Sequence, residues 1–567
     1  MERITYEFGP FQVDTHERIV RRDGKRLPLT PKVFDILLVL LNNPGKILPK
    51  EEVMKLVWPD TAVEESNLAR NVSTLRKVLR EDANHPKYIE TIPWRGYRFM
   101  AEVRELREET NVIDSLAVLP FVNDSRDPEL EYLSDGITES LIHRLSLLSS
   151  LKVMSRYSVF RYKTRNSDED LPDAIAIGSK LRVCAVLTGH VGLVDDVIQV
   201  GVELVDTFDN RHLWGAQYNR EFSDISTLQE TISQQIAVQL ELKLTSQDKR
   251  QLSKHQTEDS EAYQLYLKGR YFSSKMTLDG IQKAVELLQQ ATQKDPAYAL
   301  AYIGLVDCFS FLNQPVEARK AAAKAMDLEP ELGEAHASLG FYKFLYDWDF
   351  PGAEREFQQA IELTPNYAQA HHEYAIFLSN MGRHEEAIHE AMRASELDPL
   401  SMLMNWTLGP VFCAARQYDN AMDAISQALE LDPHFAPARS ILGMIYAFKG
   451  MLKEALEQFE RLCNLAGGNS VVDANIKALI GLAYATAGQR KDALQIIEAI
   501  SNTPTATFYN IARIHAVLGE NDRAFDCLDR AYRERSPEMV GIMVDPSFDN
   551  LTTDPRFRDL LVRVGFG

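Results

Sequence analysis

The sequence is poor in cysteine and contains no long apolar run. Its 567 residues include five cysteines, which lie far apart and form no CxxC pair. Such cysteines suit neither a disulfide framework nor a zinc site and are typical of a reducing compartment. No run approaches the roughly 18 apolar residues that a membrane span needs, and the N-terminus lacks the apolar stretch of a secretory signal. We therefore expect a cytoplasmic protein that does not contact a membrane.

Motifs for nucleotide binding and metal catalysis are also missing. The sequence has neither a GxxxxGK[ST] phosphate loop nor a GxGxxG loop. Its nearest approach to a zinc-binding HExxH helix is His384–His389, where the second histidine comes one residue too late. Side chains five residues apart point about 140° away from each other on an α-helix and cannot share a metal ion. The sequence predicts a protein that is not an enzyme and that binds no metal and no cofactor.

Negative charge is abundant but unevenly distributed. The formal net charge is -20, yet the first 104 residues contain 18 basic and 15 acidic residues, whereas the rest of the chain contains 44 basic and 67 acidic ones. A basic segment attached to acidic, well-solvated domains is typical of a nucleic-acid-binding module joined to other functions.

The second half of the chain is repetitive. A proline closes each unit at a spacing of 34 or 35 residues, at Pro296, Pro330, Pro365, Pro399 and Pro433. Small residues such as Ala387 and Ala394 stand where paired helices must pack closely, and Gly382 stands where the chain turns. A 34-residue period of this kind is the signature of tetratricopeptide repeats, which stack into a superhelix.

These patterns predict a multidomain, mainly α protein. We expect an α+β winged helix-turn-helix, a central α/β domain and a C-terminal α-solenoid. The predicted boundaries are 1–103 for the winged helix, 104–114 for a linker, 115–244 for the central domain, 245–259 for a second linker, 260–547 for the repeats and 548–567 for a C-terminal cap.

One predicted helix, from about Glu64 to Arg80, has two different faces. Leu68, Val72, Leu75 and Leu79 recur at helical spacing and should face the core. Between Asn67 and Lys77 the polar side chains are basic residues, short amides and hydroxyls, with no acid. Arginine and asparagine can read base edges, while serine, threonine and lysine hold phosphates. This helix is therefore the candidate for binding in a DNA major groove.

The whole of residues 1–103 resembles the DNA-binding domain of OmpR/PhoB-type regulators. The resemblance rests on LPLTPKVFDILLVLL, VEESNLARNVSTLRKVL and YIETIPWRGYRF. It implies that Arg70, Asn71 and Thr74 face bases in double-stranded DNA and that a basic hairpin, the wing, touches the minor groove. Residues expected near the DNA backbone or in the wing are Ser66, Asn67, Ser73, Arg76, Lys77, Thr91, Trp94 and Arg95. The family's receiver domain is not visible, so control by phosphorylation is not expected.

Residues 115–244 alternate between strand-like and helix-like patterns. The run CAVLTGHVGLVDDVIQVGVELVD predicts a hairpin, and the region resembles the N-terminal α/β domain of TolB and FlgO-like proteins. The complete order of domains resembles activators of the HilA type, and the winged helix resembles the CadC/ToxR group, although no membrane span is present. The resemblance implies a transcription regulator that binds DNA, and it leaves open whether a homodimer binds.

The repeats are expected to receive the signal or partner through their concave groove. By repeat position, Gln369, His372, Ile376, Leu403, Trp406 and Pro410 should line a groove for an unidentified protein or peptide. Trp406 has two interpretations: it anchors a partner, or it packs against the neighbouring repeat. A protein-binding scaffold and a small-molecule sensor, each with a winged helix that does not read DNA, remain the alternative functions.

Overall fold

The computed structural model describes most of the chain. Its described residues exclude 1–2, 16–17, 23, 59–64, 82–85, 94, 109–112, 126, 128–129, 149, 164–172, 195–196, 222–223, 243, 253–255, 276, 313, 467–469, 502–507 and 567. The chain divides into two compact units, Met1–Val112 and Ile113–Gly567. No helix in the described part is both long enough and apolar enough to cross a membrane.

In its described residues the first unit contains three helices and two small antiparallel sheets. Its elements are β1 (Arg3–Phe8), β2 (Phe11–Asp14), β3 (Ile19–Arg22), β4 (Lys25–Leu27), α1 (Pro31–Leu41), β5 (Ile47–Pro49), α2 (Lys50–Val57), α3 (Glu65–Leu79), β6 (Ile89–Ile92), β7 (Gly96–Phe99) and β8 (Arg104–Glu108). The strand orders are β4-β3-β2-β1-β8 and β5-β7-β6. The predicted core stripe of α3 is confirmed, since Leu68, Val72, Leu75 and Leu79 are buried.

The predicted linker 104–114 is wrong in its first half. Residues Arg104–Glu108 form β8, which pairs antiparallel with β1 from Arg3↔Glu108 to Glu7↔Arg104. The charged side chains of this stretch suggested a linker, but an edge strand of a sheet tolerates charge because much of it faces solvent. The winged-helix unit therefore includes this strand and ends later than residue 103.

We predict that a fragment ending at residue 103 is less stable than one ending at residue 112. Loss of β8 removes several backbone hydrogen bonds to β1, each contributing about 0.5–1.5 kcal/mol. The free energy of unfolding of the 1–103 fragment should be about 2–3 kcal/mol lower in urea titrations. Coincident unfolding curves for the two fragments would show that β8 is dispensable.

The second unit begins with an α/β layer. Its elements are β9 (Ser115–Val118), β10 (Val122–Asn123), α4 (Glu131–Ser146), β11 (Lys152–Val153), α5 (Arg156–Val159), α6 (Ala174–Leu181), β12 (Ala185–Val194), β13 (Val197–Asp206), β14 (His212–Glu221), α7 (Ile225–Gln239) and α8 (Ser246–Leu252). The sheet order is β11-β9-β12-β13-β14, with β10 on β12. The predicted hairpin is β12–β13, paired from Ala185↔Asp206 to Val194↔Val197.

The predicted linker 245–259 is also wrong in part, because it contains α8. Leu252 of this helix is buried in the same core as α4, and its carbonyl accepts a hydrogen bond of 3.0 Å from Arg144 Nη1. That core continues without a break into the first repeats through Tyr298, Leu332 and Ala335. The α/β layer and the repeats are therefore one folding unit.

Sixteen helices form the described part of the repeat array. They are α9 (Ser260–Ser273), α10 (Leu278–Lys294), α11 (Ala299–Phe311), α12 (Pro315–Leu328), α13 (Gly333–Tyr342), α14 (Phe350–Leu363), α15 (Ala368–Asn380), α16 (His384–Leu397), α17 (Met402–Ala414), α18 (Tyr418–Leu431), α19 (Ala436–Phe448), α20 (Leu452–Ala466), α21 (Ser470–Thr486), α22 (Arg490–Ser501), α23 (Phe508–Val517) and α24 (Asn521–Arg533). Each of the five spaced prolines follows the second helix of a pair, as predicted.

Small residues set the distance between paired helices. Ala387 and Ala394 are fully buried. A Cβ added to Gly409 would lie 2.3 Å from Ile425 Cδ1, so the glycine leaves room on α17 for the Ile425 side chain of α18. Gly382 turns the chain between α15 and α16 with a φ of +72°, a conformation that glycine adopts without strain.

The C-terminal segment does more than cap the last repeat. After two 3-10 turns, Pro537–Gly541 and Pro546–Leu551, the chain ends in α25 (Pro555–Val564). This segment shares a core with much earlier repeats, where the rings of Phe350 and Phe566 lie 4.8 Å apart. The array therefore closes on itself between α14 and the C-terminus.

Candidate nucleic-acid interface

Helix α3 presents one polar stripe to solvent. Its exposed residues are Glu65, Ser66, Ala69, Arg70, Ser73 and Lys77, and Arg80 follows at its end. The opposite side is anchored in the core, so the stripe is held on a rigid element. The only acid, Glu65, lies in the first turn and forms an ion pair of 2.6 Å with Lys50 Nζ, which raises the pKa of that lysine through a hydrogen bond. Beyond this turn the exposed charge is positive.

The structure removes Asn71 from the predicted base-reading set. Asn71 is 2% exposed, and its Nδ2 donates to the Asn67 carbonyl oxygen at 3.0 Å and to Asn67 Oδ1 at 2.6 Å. It lies three residues after Leu68 and four before Leu75, which is core spacing. The sequence already showed this spacing, but the polar side chain of Asn71 suggested that it lies on the solvent-exposed face of α3. Thr74 is half-buried and donates to the Arg70 carbonyl at 3.2 Å.

Arg76 is also inside the domain, not on the predicted DNA-backbone surface. Its Nη2 donates to the Ile89 carbonyl at 2.7 Å and to Thr91 Oγ1 at 2.8 Å. Its Nε lies 4.0 Å from Glu81 Oε2, a carboxylate whose side chain is fully buried. Because charged hydrogen bonds are strong in a partly dry environment, Arg76 holds strand β6 at a set position beside α3. It is a positioning residue for the wing.

The wing is the hairpin of β6 and β7. Thr91 and Arg95 are exposed on it, and the Arg95 N–H donates to the Ile92 carbonyl at 3.0 Å across the tip. Trp94 lies outside the described residues. Gly96 follows with a φ of +145°, and a Cβ there would lie 1.9 Å from the Leu48 carbonyl oxygen. Glycine is therefore required where β7 meets β5, at the residue directly after the wing tip.

The predicted peptide groove is largely filled by the protein itself. His372 is 5% exposed, and its Nδ1 lies 2.6 Å from Thr407 Oγ1 on the next repeat. Burial lowers the pKa of this histidine to about 4. The prediction that His372 points into an open groove is wrong, because its imidazole joins two neighbouring first helices.

Trp406 packs between repeats as well. Its ring lies 6.4 Å from that of His372, and it contacts the core formed by the central repeats. Its indole Nε1 is enclosed and has no hydrogen-bond partner in the described part of the chain. Of the two interpretations of Trp406, the structure supports packing against the neighbouring repeat. Leu403 on the same helix is also half-buried.

The remaining groove positions face the C-terminal segment. Ile376 and Pro410 line a cavity of about 190 Å³ whose other wall includes Gly541 and Val544. Arg416 holds this wall in place, since its guanidinium donates to the Val544 carbonyl and pairs with Asp549, both at 2.6 Å. The C-terminal segment thus covers part of the concave side of α15 and α17.

Glu373 on α15 is a buried carboxylate with an incomplete set of partners. It is 8% exposed, and its Oε1 accepts a 2.8 Å hydrogen bond from Gln369, itself one of the predicted groove residues. Its Oε2 has no hydrogen-bond partner among the residues that the structure describes. Burial, reinforced by the negative charge of Asp307, raises the pKa of Glu373 to about 7 despite the bond from Gln369.

We predict that Glu373→Gln stabilises the protein at alkaline pH. The folded chain retains the Glu373 proton between about pH 4.5 and 7, where the unfolded chain has released it, so the wild type loses stability as the pH rises through that range. The variant cannot ionise and should melt a few degrees higher than the wild type at pH 8, with a smaller difference at pH 5. Glu385→Gln, an exposed carboxylate on the next helix, serves as the matched control. Equal effects of the two substitutions at pH 8 would contradict a buried charge.

The open face of the central sheet forms a second, shallower cavity of about 740 Å³. Its polar lining comes from Asp124, Thr188, His190, Glu203, His212 and Gln217. The His190 ring lies flat on the sheet, since a Cβ at Gly201 would be 2.1 Å from its Cε1. No group of three or more His, Cys, Asp or Glu side chains able to hold a metal ion occurs among the described residues.

Family models match both ends of this architecture. Residues 24–99 match the model described as transcriptional regulatory protein, C terminal. Residues 356–389 and 407–470 match models described as tetratricopeptide repeat. The first unit therefore contains a winged helix of the OmpR/PhoB type, and the second contains tetratricopeptide repeats.

Named relatives match different shares of the chain. The chain is 26% identical over 400 residues to transcriptional regulator HilA of Salmonella typhi, which covers 67% of this chain and 68% of HilA. It is 31% identical over 110 residues to transcriptional activator CadC of Escherichia coli K12, covering 19% and 22% respectively. It is also 31% identical over 277 residues to "Putative adenylate cyclase 3" of Rhizobium meliloti, covering 48% of this chain and 42% of that protein. The chain thus spans less than half the length of this last relative.

Proposed function

We propose that this protein is a sequence-specific DNA-binding transcription regulator. Helix α3 enters the major groove with Arg70 directed at base edges, while Ser66, Ser73 and Lys77 approach phosphates. The wing, with Arg95 at its tip, lies at the adjacent minor groove. The observation that carries this proposal is the exposed stripe of α3, which is polar and basic after its first turn and is mounted on a buried leucine face.

Support also comes from the rigid link between helix and wing. The two Arg76 hydrogen bonds to β6 hold the reading helix and the wing in one arrangement, as a two-groove interface requires. The relatives HilA and CadC are named as transcriptional regulators. We further propose that the protein works in the cytoplasm, by binding and not by catalysis.

In this proposal the second unit receives the input, through a protein or peptide partner. The concave positions Gln369, Leu403 and Pro410 remain candidates at its margins, although the C-terminal segment covers part of that side. The TolB/FlgO-like interpretation of residues 115–244 belongs to the same proposal. Their core is continuous with that of the repeats, so a ligand on either part acts on one folding unit.

We predict that Arg70→Ala and Lys77→Ala weaken DNA binding in different ways. Both residues are exposed on α3 and each substitution removes one positive charge. Arg70→Ala should lower affinity for the preferred site by about 1–3 kcal/mol while changing binding to random DNA much less. Lys77→Ala should weaken both equally and reduce the slope of log K against log salt by about one. Binding isotherms of the 1–112 fragment, on a site selected from random DNA, measure both effects.

The same experiment separates the regulator from a protein-binding scaffold. If the folded 1–112 fragment has no affinity for DNA at low salt, the winged helix serves another purpose and the proposal fails. If Arg70→Ala lowers affinity for specific and random DNA equally, α3 binds DNA but Arg70 does not read bases.

A small-molecule sensor is the second candidate function, favoured by the polar cavity on the open face of the central sheet. The described lining contains two carboxylates and no lysine or arginine, so its charge favours ligands that carry amino or other hydrogen-bond donor groups. Screening for compounds that raise the melting temperature of the full chain, with the Glu203→Gln variant as the comparison, tests the sensor function. A stabilising compound whose effect is unchanged by Glu203→Gln would bind elsewhere.

A further inference from the structure

The central sheet has one short edge and one long edge. Among the described residues, the sheet order leaves β11 and β14 as the outer strands. Strand β11 has two residues, whereas β14 has ten, from His212 to Glu221. The outer backbone groups of β14 therefore form a ladder of donors and acceptors that no described strand pairs.

This long edge has little protection against pairing along most of its length. Natural edge strands are shortened, twisted by a bulge, or carry proline or charged residues. The sequence of β14, HLWGAQYNRE, has no proline or lysine, its charged residues Arg220 and Glu221 lie at its end, and its register irregularity is confined to the start, opposite Leu204 and Val205. Trp214, Ala216 and Tyr218 lie on the side that faces α7, half-buried against the core. Aromatic surface thus stands beside an unpaired backbone edge.

Antiparallel pairing of β14 with itself has one favoured register. In an antiparallel pair, directly opposite side chains lie on the same face of the sheet. A twofold axis perpendicular to the sheet produces this arrangement only if it passes through a residue of β14 and not between two residues. With Ala216 on the axis, Trp214 faces Tyr218 of the second copy, and this aromatic pair occurs twice. With Gln217 on the axis, Trp214 would instead face Arg220.

Charge selects the same register. Arg211 directly precedes β14; it lies 3.5 Å from Asp206 of its own chain, yet its side chain is 54% exposed. Glu221 ends β14 in an exposed position. When Ala216 lies on the axis, Glu221 of each copy comes opposite Arg211 of the other. Like charges do not face each other along the pair, and opposite charges meet at both ends.

We propose that the protein forms a twofold homodimer in which the β14 edges of two copies pair antiparallel about Ala216. The two sheets then become one continuous sheet, with the α7 helices of both copies on the same face. The residues of this contact belong to the second unit.

Sedimentation of the full chain tests the dimer. The wild type should sediment as a dimer at micromolar concentration, and Ala216→Lys, which brings two ammonium groups together on the axis, should raise the dissociation constant at least about tenfold. Gln199→Lys, an exposed site on the neighbouring strand β13, is the matched control and should leave the dimer intact. A wild-type chain that remains monomeric up to about 100 µM overturns the proposal.

Disulfide trapping tests the register without requiring a disruptive variant. Directly opposite residues of an antiparallel pair have Cα atoms about 4.5–5.5 Å apart, within reach of a disulfide. In a Cys463→Ser background, which removes an exposed natural cysteine, Ala216→Cys should form a covalent dimer under mild oxidation much faster than Gln199→Cys. Equal rates for these two variants, or faster trapping by Gln217→Cys, overturn the pairing about Ala216.

Discussion

A largely enclosed ion pair joins the central sheet domain to the repeats. Glu139 on α4 accepts a 2.7 Å hydrogen bond from Arg270 Nε on α9 and lies 3.2 Å from Arg156 Nε. Burial alone would raise its pKa, yet the two guanidinium groups hold the pKa of Glu139 below its usual value. Because removing one member of such a pair leaves an uncompensated charge, the pair opposes separation of α4 from α9.

The organisation of the second unit follows from that junction. Arg270 also pairs with Asp307 at 2.6 Å, and His143 reaches Glu334 at 3.1 Å, so contact with α4 extends to α11 and α13. Farther along, Ser155 and Ser158 donate to Asp398, the residue before Pro399. The sheet domain thus contacts several repeats and stabilises their arrangement relative to one another. A solenoid otherwise depends on contacts between neighbouring repeats alone.

The first unit also depends on hydrogen bonds that cannot be identified from the sequence. The periodicity of α3 predicted its core stripe correctly, because leucine and valine at helical spacing have few alternatives to burial. It could not assign the polar residues at its margins. Asn71 and Arg76 are inside because Asn67, Thr91 and the Ile89 carbonyl happen to lie within reach. Their chemistry alone suggested a role at DNA.

The sequence by itself determined the local and repeated features of this protein. Proline and small residues at 34-residue spacing predicted the helix pairs, because each repeat buries its apolar face only against its neighbours. Long-range features were decided by the tertiary structure alone. Strand β8, the closure of the C-terminus over α15 and α17, and the burial of His372 depend on residues distant in sequence. No local periodicity encodes such contacts, because they form only when the folded chain brings separate segments together.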